Sequence, residues 1–230
     1  MEIINYQKEA IMKTFCSWSG GKDCALAFYE ATKSGMKITH LLNMATENGE
    51  HSRTHGLTSE MLTSQSEALN IGLVQQKASW DTYENEFKKI VSIIKDDDAL
   101  RGVFGDIDMI EHRDWVERVC SESGVEPMLP LWLREREELL NSFIDAGFKA
   151  IVVATDKRYL GEEWLGREIN RAFMDDLRAL NNVDLSGEKG EYHTFVYDGP
   201  IFEKPVEFSV IKKSLTDSNW LLELAPHKQV

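Results

Sequence analysis

Residues 15–31, FCSWSGGKDCALAFYEA, pass from an apolar run, through two glycines and a lysine, into an alanine-rich stretch of helical character. A strand, a glycine turn and a helix in that order bring backbone N–H groups and a helix N-terminus together on an anion. Ser19 offers a hydroxyl, and Gly20 and Gly21 let the backbone approach closely. Lys22 brings a mobile positive charge, Asp23 stands where a helix cap belongs, and Cys24 follows it into the helix. Residues 19–24 therefore read as a phosphate cradle. They do not spell the mononucleotide loop G-x-x-x-x-G-K-[ST], because the first glycine would fall on Cys16 and Asp23 occupies the Ser/Thr place. Nor do they spell G-x-G-x-x-G.

Outward from this stretch the pattern repeats. Apolar or extended runs at Thr14–Trp18, Ile38–Ala45, Leu73–Ala78 and Gly102–Ile107 alternate with helical periodicity at Asp23–Ser34, Leu57–Leu69, Tyr83–Ile94 and His112–Ser123. Such alternation predicts an α/β fold with a doubly wound parallel sheet. After Pro127 and Pro130 the rhythm changes. A helix at Arg134–Ala146, an apolar strand at Ala150–Thr155, a long polar helix near Trp164–Leu180 and alternating segments from Tyr192 onward predict a smaller C-terminal α+β lobe. A soft boundary near residue 130 divides the chain into residues 1–130 and 131–230.

The 230 residues suffice for such a core and lobe, and 42% hydrophobic with 28% charged residues is the balance of a globular protein. No run approaches the roughly 18 to 20 apolar residues of a membrane span, so no membrane partner is expected. The opening MEIINYQKEAIM lacks the basic start and apolar run of a secretion signal, and a cytoplasmic location is the expectation. Cys16, Cys24 and Cys120 are odd in number and lack C-x-x-C spacing, which fits reduced thiols and argues against a zinc or disulfide framework. A net charge of −13 repels a phosphate backbone and disfavours nucleic acid as a partner, so an anionic ligand must be gripped by local donors.

Ser19-Gly20-Gly21-Lys22-Asp23-Cys24 resembles the S-G-G-K-D-S loop of the PP-loop ATP pyrophosphatases, a group within the adenine nucleotide alpha hydrolase-like (HUP) fold that cleaves ATP between its α and β phosphates. Cys24 departs from the serine of that loop, and a thiol is the weaker donor. Residues 187–200, GEKGEYHTFVYDGP, resemble the G-E-x-G-E-[FY]-H-T segment of the diphthine–ammonia ligase-like branch. Further marks of that branch stand at Gly105–Ile107, Pro130–Trp132 and Trp164–Arg167, so the likeness runs from about residue 14 to 205. The resemblance implies a nucleotide-binding α/β domain followed by an acceptor-binding lobe, with ATP and Mg²⁺ as cofactors. It implies adenylation of the diphthine carboxylate on elongation factor 2, then attack of ammonia, and it leaves a homodimer open. Lys22, Glu188 and Glu191 would be catalytic, Ser19 to Cys24 would hold ATP, and Gly105, Asp106, Glu188, Glu191, His193 and Thr194 would meet the substrate.

The second motif also has a reading of its own. Glu188 and Glu191 flank Gly190 in one tight turn, from which both carboxylates could bind a cationic group, position ammonium or assist its deprotonation. His193 and Thr194 could add hydrogen bonds to a carboxylate or phosphate. A solvated turn is the plain alternative. Asp106, just past an apolar strand, could reach magnesium or the substrate, or close an ordinary turn. His55 follows the second strand and reads as a bystander. Asp96-Asp97-Asp98 reads as a solvated helix end rather than a metal site, and Trp115, Trp132 and Trp164 as packing residues.

In the chemistry implied, Mg²⁺ and Lys22 would screen the charge on departing pyrophosphate. The sequence shows no glutaminase cysteine, which makes free ammonia the expected donor. Two other functions fit the same residues: a PP-loop ligase amidating a different carboxylate, and a nucleotide-binding protein without turnover. A tRNA-thiolating enzyme would bring paired cysteines, a zinc motif and a basic face, which this sequence lacks.

Overall fold

The computed structural model describes residues 12–53, 56–95 and 99–227. Strand and helix alternate through its first half: β1 (Lys13–Ser17), α1 (Lys22–Lys33), β2 (His40–Ala45), α2 (Ser59–Leu69), β3 (Gly72–Lys77), α3 (Tyr83–Lys95), β4 (Leu100–Val103), α4 (Ile110–Ser123) and β5 (Val125–Met128). The five strands pair in parallel in the order β3-β2-β1-β4-β5. The chain works outward from β1 to β3, then crosses back to lay β4 on the other side of β1. That reversal, between β1 and β4, is where open α/β sheets keep their ligands, beyond the carboxyl ends of the strands.

Alternation along β1 sets the two layers, since successive side chains of a strand face opposite ways. Phe15 joins the cluster of α3 and α4, with its ring 6.2 Å from that of Phe87. Cys16, the next residue, joins the cluster of α1 and α2 with Leu26, Phe28, Met61 and Leu62. Helices thus cover both faces, and the sheet is the doubly wound parallel sheet expected. The fifth strand was not expected. It is four residues long and contains Pro127, which is tolerated because β5 lies at the sheet edge. The run read as a strand over Gly102–Ile107 keeps strand geometry only to Val103, which leaves Gly105 and Asp106 in the loop beyond.

The second half contains α5 (Arg136–Asp145), β6 (Lys149–Asp156), a short 3-10 turn (Glu162–Trp164), α6 (Arg171–Ala179), β7 (Tyr192–Asp198), β8 (Phe208–Leu215) and β9 (Asn219–Pro226). Its antiparallel sheet has the order β7-β6-β9-β8. The long helix expected over 164–180 is shorter. Residues 166–169 instead hydrogen-bond alongside β6, and α6 starts only after Asn170, whose side chain accepts from Phe173 N at 3.0 Å. One buried cluster runs through both halves, joining Leu26 and Met61 to Val152, Phe173 and Phe195. The smaller lobe therefore packs on the α1 and α2 face of the parallel sheet.

Candidate active site

The loop after β1 is built from both halves of the chain. Gly20 sits at φ 85°, and a Cβ there would lie 2.7–2.8 Å from Leu57, Leu62 and Gln65, so only glycine fits. Gly20 O accepts from Val196 N of β7 at 3.0 Å and from Gln65 Nε2 at 3.0 Å. The N-cap of α1 is Gly21, with no side-chain cap of its own, and Asp23 lies in the first turn rather than at the cap. The capping hydroxyl comes from the other lobe: Lys22 N donates to Thr194 Oγ1 at 3.0 Å.

Lys22 corrects a second expectation, because its charge is clamped rather than mobile. The residue is 6% exposed, and Nζ donates to both Asp23 oxygens at 2.9 and 2.8 Å and to Ser186 O at 2.5 Å, 5.5 Å from the centre of the Tyr192 ring. Burial alone would lower its pKa, but the neighbouring Asp23, with Tyr192 and Glu188 behind it, more than offsets this and raises it, so the ammonium stays charged. The Cys24 thiol donates to Gly21 O at 3.1 Å and accepts from Ser19 Oγ at 3.5 Å. Burial raises its pKa, which keeps the proton on sulfur.

The two glutamates of the second motif face different ways. Glu188 lines the cleft, where burial first and Asp23 second push its pKa up to about 7, with Lys22 pulling the other way. Glu191 does not project into the cleft as expected. It is 1% exposed, and its carboxylate is used within its own loop, accepting from Asp184 N at 3.1 Å and Lys189 N at 3.0 Å. Its contribution is to hold the turn that presents Glu188.

The cleft, of about 350 Å³, opens at the carboxyl ends of β1 and β4. Ser19, Lys22, Asp23 and Cys24 line it on one side, Gly105 and Asp106 on another, and Glu188, His193 and Thr194 on a third. Residues more than 160 apart in sequence thus share one space. Gly20, Gly21 and Glu191 stand behind this lining and shape it. Sequence reasoning missed His112, Ser186 and Tyr192, which also line it. His112 had a signal as a histidine in the first turn of the helix after Gly105-Asp106, and Tyr192 had one as the aromatic of the GEKGEYHT motif. The Nδ1 of His112 lies 3.3 Å from Asp106 Oδ1, and that contact raises the histidine pKa. His55 and Asp96 to Asp98 lie outside the described residues. Among the described residues no three His, Cys, Asp or Glu side chains come together as a metal site. Trp115 and Trp164 pack edge-on against Phe87 and Phe173, and Trp132 lies beneath the Arg113 guanidinium.

Comparison with known proteins finds matches to both halves of the chain. The diphthamide synthase N-terminal domain matches residues 12–127, and the diphthamide synthase C-terminal domain matches residues 135–230. The diphthine–ammonia ligase of Bos taurus is 26% identical over 213 residues, covering 82% of this chain and 79% of that protein. The Mus musculus enzyme of that name is 29% identical over 60% of this chain and 53% of its own length. The Schizosaccharomyces pombe enzyme is 25% identical over 85% of this chain, which spans 36% of that longer protein. A solved chain from Methanocaldococcus jannaschii, described as a predicted subunit of tRNA methyltransferase, aligns over 85% of this chain and all of its own at 14% identity, with a TM-score of 0.44, too loose a likeness to bear on function. With one domain model matching each side of the cleft, in the order in which the chain builds them, this protein belongs to the diphthamide synthase family of diphthine–ammonia ligase-like proteins.

Proposed function

We propose that the chain is an ATP-dependent ligase that adenylates a carboxylate, releases pyrophosphate and then converts the acyl-adenylate to an amide with ammonia. The observation that carries this reading is the single cleft, lined by the glycine–lysine loop on one side and Glu188 on the other, at the strand-order reversal. Residues 1–130 supply the nucleotide side and residues 131–230 the acceptor side. The acceptor implied by the family is diphthine on elongation factor 2, whose cationic groups suit the acids of the cleft. Another carboxylate in the same cleft would use the same steps.

In the first step an acceptor carboxylate oxygen bonds to the α-phosphorus, and the bond between that phosphorus and the α–β bridging oxygen breaks. The backbone N–H groups of the loop and the Lys22 ammonium hold the phosphates and stabilise charge on the leaving group. To reach them Lys22 gives up Ser186 O and Asp23. Magnesium binds commonly through one or two carboxylates together with substrate phosphates, and Asp23 and Asp106 offer that donor set. It would supply further charge neutralisation on the phosphates. In the second step ammonia nitrogen bonds to the acyl carbon, the single bond from that carbon to the phosphate oxygen breaks, AMP departs with that oxygen and the bonding electrons, and the nitrogen gives its extra proton to solvent. Glu188, poised near neutrality, takes a proton from entering ammonium.

The test is incubation with ATP, Mg²⁺, ammonium and candidate acceptors, with the nucleotide product identified. AMP and pyrophosphate are expected, and Lys22→Ala should lower AMP formation at least about a hundredfold. ADP as the product, or wild-type rates in Lys22→Ala, would overturn the assignment. Tight ATP binding without AMP under any acceptor would favour a nucleotide-binding protein without turnover.

A further inference from the structure

Gln65 lies on the inward face of α2, where its buried neighbours Met61, Leu62, Ala68 and Leu69 are apolar, and it is 0% exposed. A primary amide in such a place is costly unless its polar atoms are matched. They are matched by three parts of the chain. Nε2 donates to Gly20 O at 3.0 Å and to Val196 O at 2.6 Å, and Oε1 accepts from Trp18 Nε1 at 2.9 Å. The indole can only donate, so the amide has one orientation that satisfies every partner. Trp18 enters the phosphate loop, Gly20 is its first glycine, and Val196 is two residues beyond the Thr194 that caps α1. We infer that Gln65 is a positioning residue for ATP, fixing the first glycine of the loop against β7 so that the loop N–H groups and Lys22 meet the phosphates in one geometry. The inference rests on the reading of residues 19–24 as the ATP phosphate loop.

The Gln65 side chain touches the entry of the loop, the loop itself and the strand of the opposite lobe together. Without its two donors, Gly20 O keeps only the Val196 N–H, and the peptide plane at Gly20 is free to tilt. A shift of about 1 Å at such a point is enough to cost on the order of a hundredfold in a positioned reaction. Gln65 touches neither phosphate nor acceptor, so its effect should fall on ATP and leave the ammonium side unchanged.

The experiment compares wild type with Gln65→Met, which keeps the volume and removes both donors, and with Trp18→Phe, which removes the donor that orients the amide along with part of the buried indole. Melting temperature, magnesium–ATP affinity by calorimetry, and KM for ATP and for ammonium are measured on the folded fraction. ATP affinity should fall by about tenfold to a hundredfold in Gln65→Met and by less in Trp18→Phe, with KM for ammonium unchanged. A lower melting temperature with unaltered ATP affinity in Gln65→Met would overturn the inference. If that variant fails to fold, unaltered affinity in Trp18→Phe overturns it equally. Absence of ATP binding by wild type would instead remove the loop reading, and this inference with it.

Discussion

The backbone N–H of Lys22 and the hydroxyl of Thr194 meet at 3.0 Å, although they stand 172 positions apart in the sequence. The first N–H groups of a helix have no partner within it, and α1 meets this need by borrowing from β7. Thr194→Val keeps the shape and removes the cap. It should cost about 1 kcal/mol in stability and weaken ATP binding, whereas Thr194→Ser should retain both. Denaturant titration and ATP calorimetry on the pair decide this, and equal behaviour of Val and Ser would show the hydroxyl to be dispensable.

Gly105 presses on the same helix end from the opposite side. A Cβ at this position would stand 2.9 Å from the Asp23 carbonyl carbon and 3.0 Å from Cys24 N, which are backbone atoms and cannot swing aside. Gly105→Ala should destabilise the fold by about 1–3 kcal/mol and displace the start of α1. The expected signature is a fall in kcat/KM for ATP beyond what the loss of folded protein explains. Wild-type kinetics in a well-folded Gly105→Ala protein would mean that this contact does not set the loop.

Glu188→Gln and Glu191→Gln should differ in their effect on stability. The Glu188 carboxyl titrates near 7 in the folded protein against 4.5 as its reference, so the native state holds this proton more tightly than the unfolded chain. Its stabilising contribution is complete below pH 4.5 and is lost as pH rises through about 7. Glu188→Gln should therefore match wild type in acid, gain on it across that interval and stay ahead above it. Glu191→Gln should lose about 1–3 kcal/mol across the neutral range, because the amide cannot accept from both backbone N–H groups as the carboxylate does. Stability curves of the two variants from pH 4 to 8 test both statements, and parallel curves would contradict them.

Cys24→Ser should hold or raise AMP formation. The thiol already donates to Gly21 O and accepts from Ser19 Oγ, and a hydroxyl can do both more strongly over a shorter reach. Because burial keeps the thiol protonated, wild type should also react slowly with iodoacetamide at neutral pH. A large loss of activity in Cys24→Ser would assign the sulfur a role of its own.

Much of this molecule can be read before it is seen folded. Phe15 and Cys16 on opposite faces of β1, the glycine turn at 20–21 and the strand–helix alternation up to Ser123 follow from local periodicity and turn chemistry. What stays hidden depends on distant partners. Glu188 and Glu191 look alike in a string of letters, and only the N–H groups of Asp184 and Lys189 make one of them structural. Lys22 reads as a free cation until Ser186 O is brought beside it. The segment before Asn170 has helical composition but finds better backbone partners along β6. The role of Gln65 is visible only when α2 is laid against both β7 and the loop.

The borrowed cap on α1 also bears on how the protein comes into being. A ribosome delivers Lys22 long before Thr194 and Val196, and N-terminal units generally fold first during synthesis. When the parallel sheet collapses around Phe15, the Lys22 N–H and the Gly20 carbonyl still await their partners from β7. On that order the loop of residues 19–24 is completed only once β7 has been translated and docked.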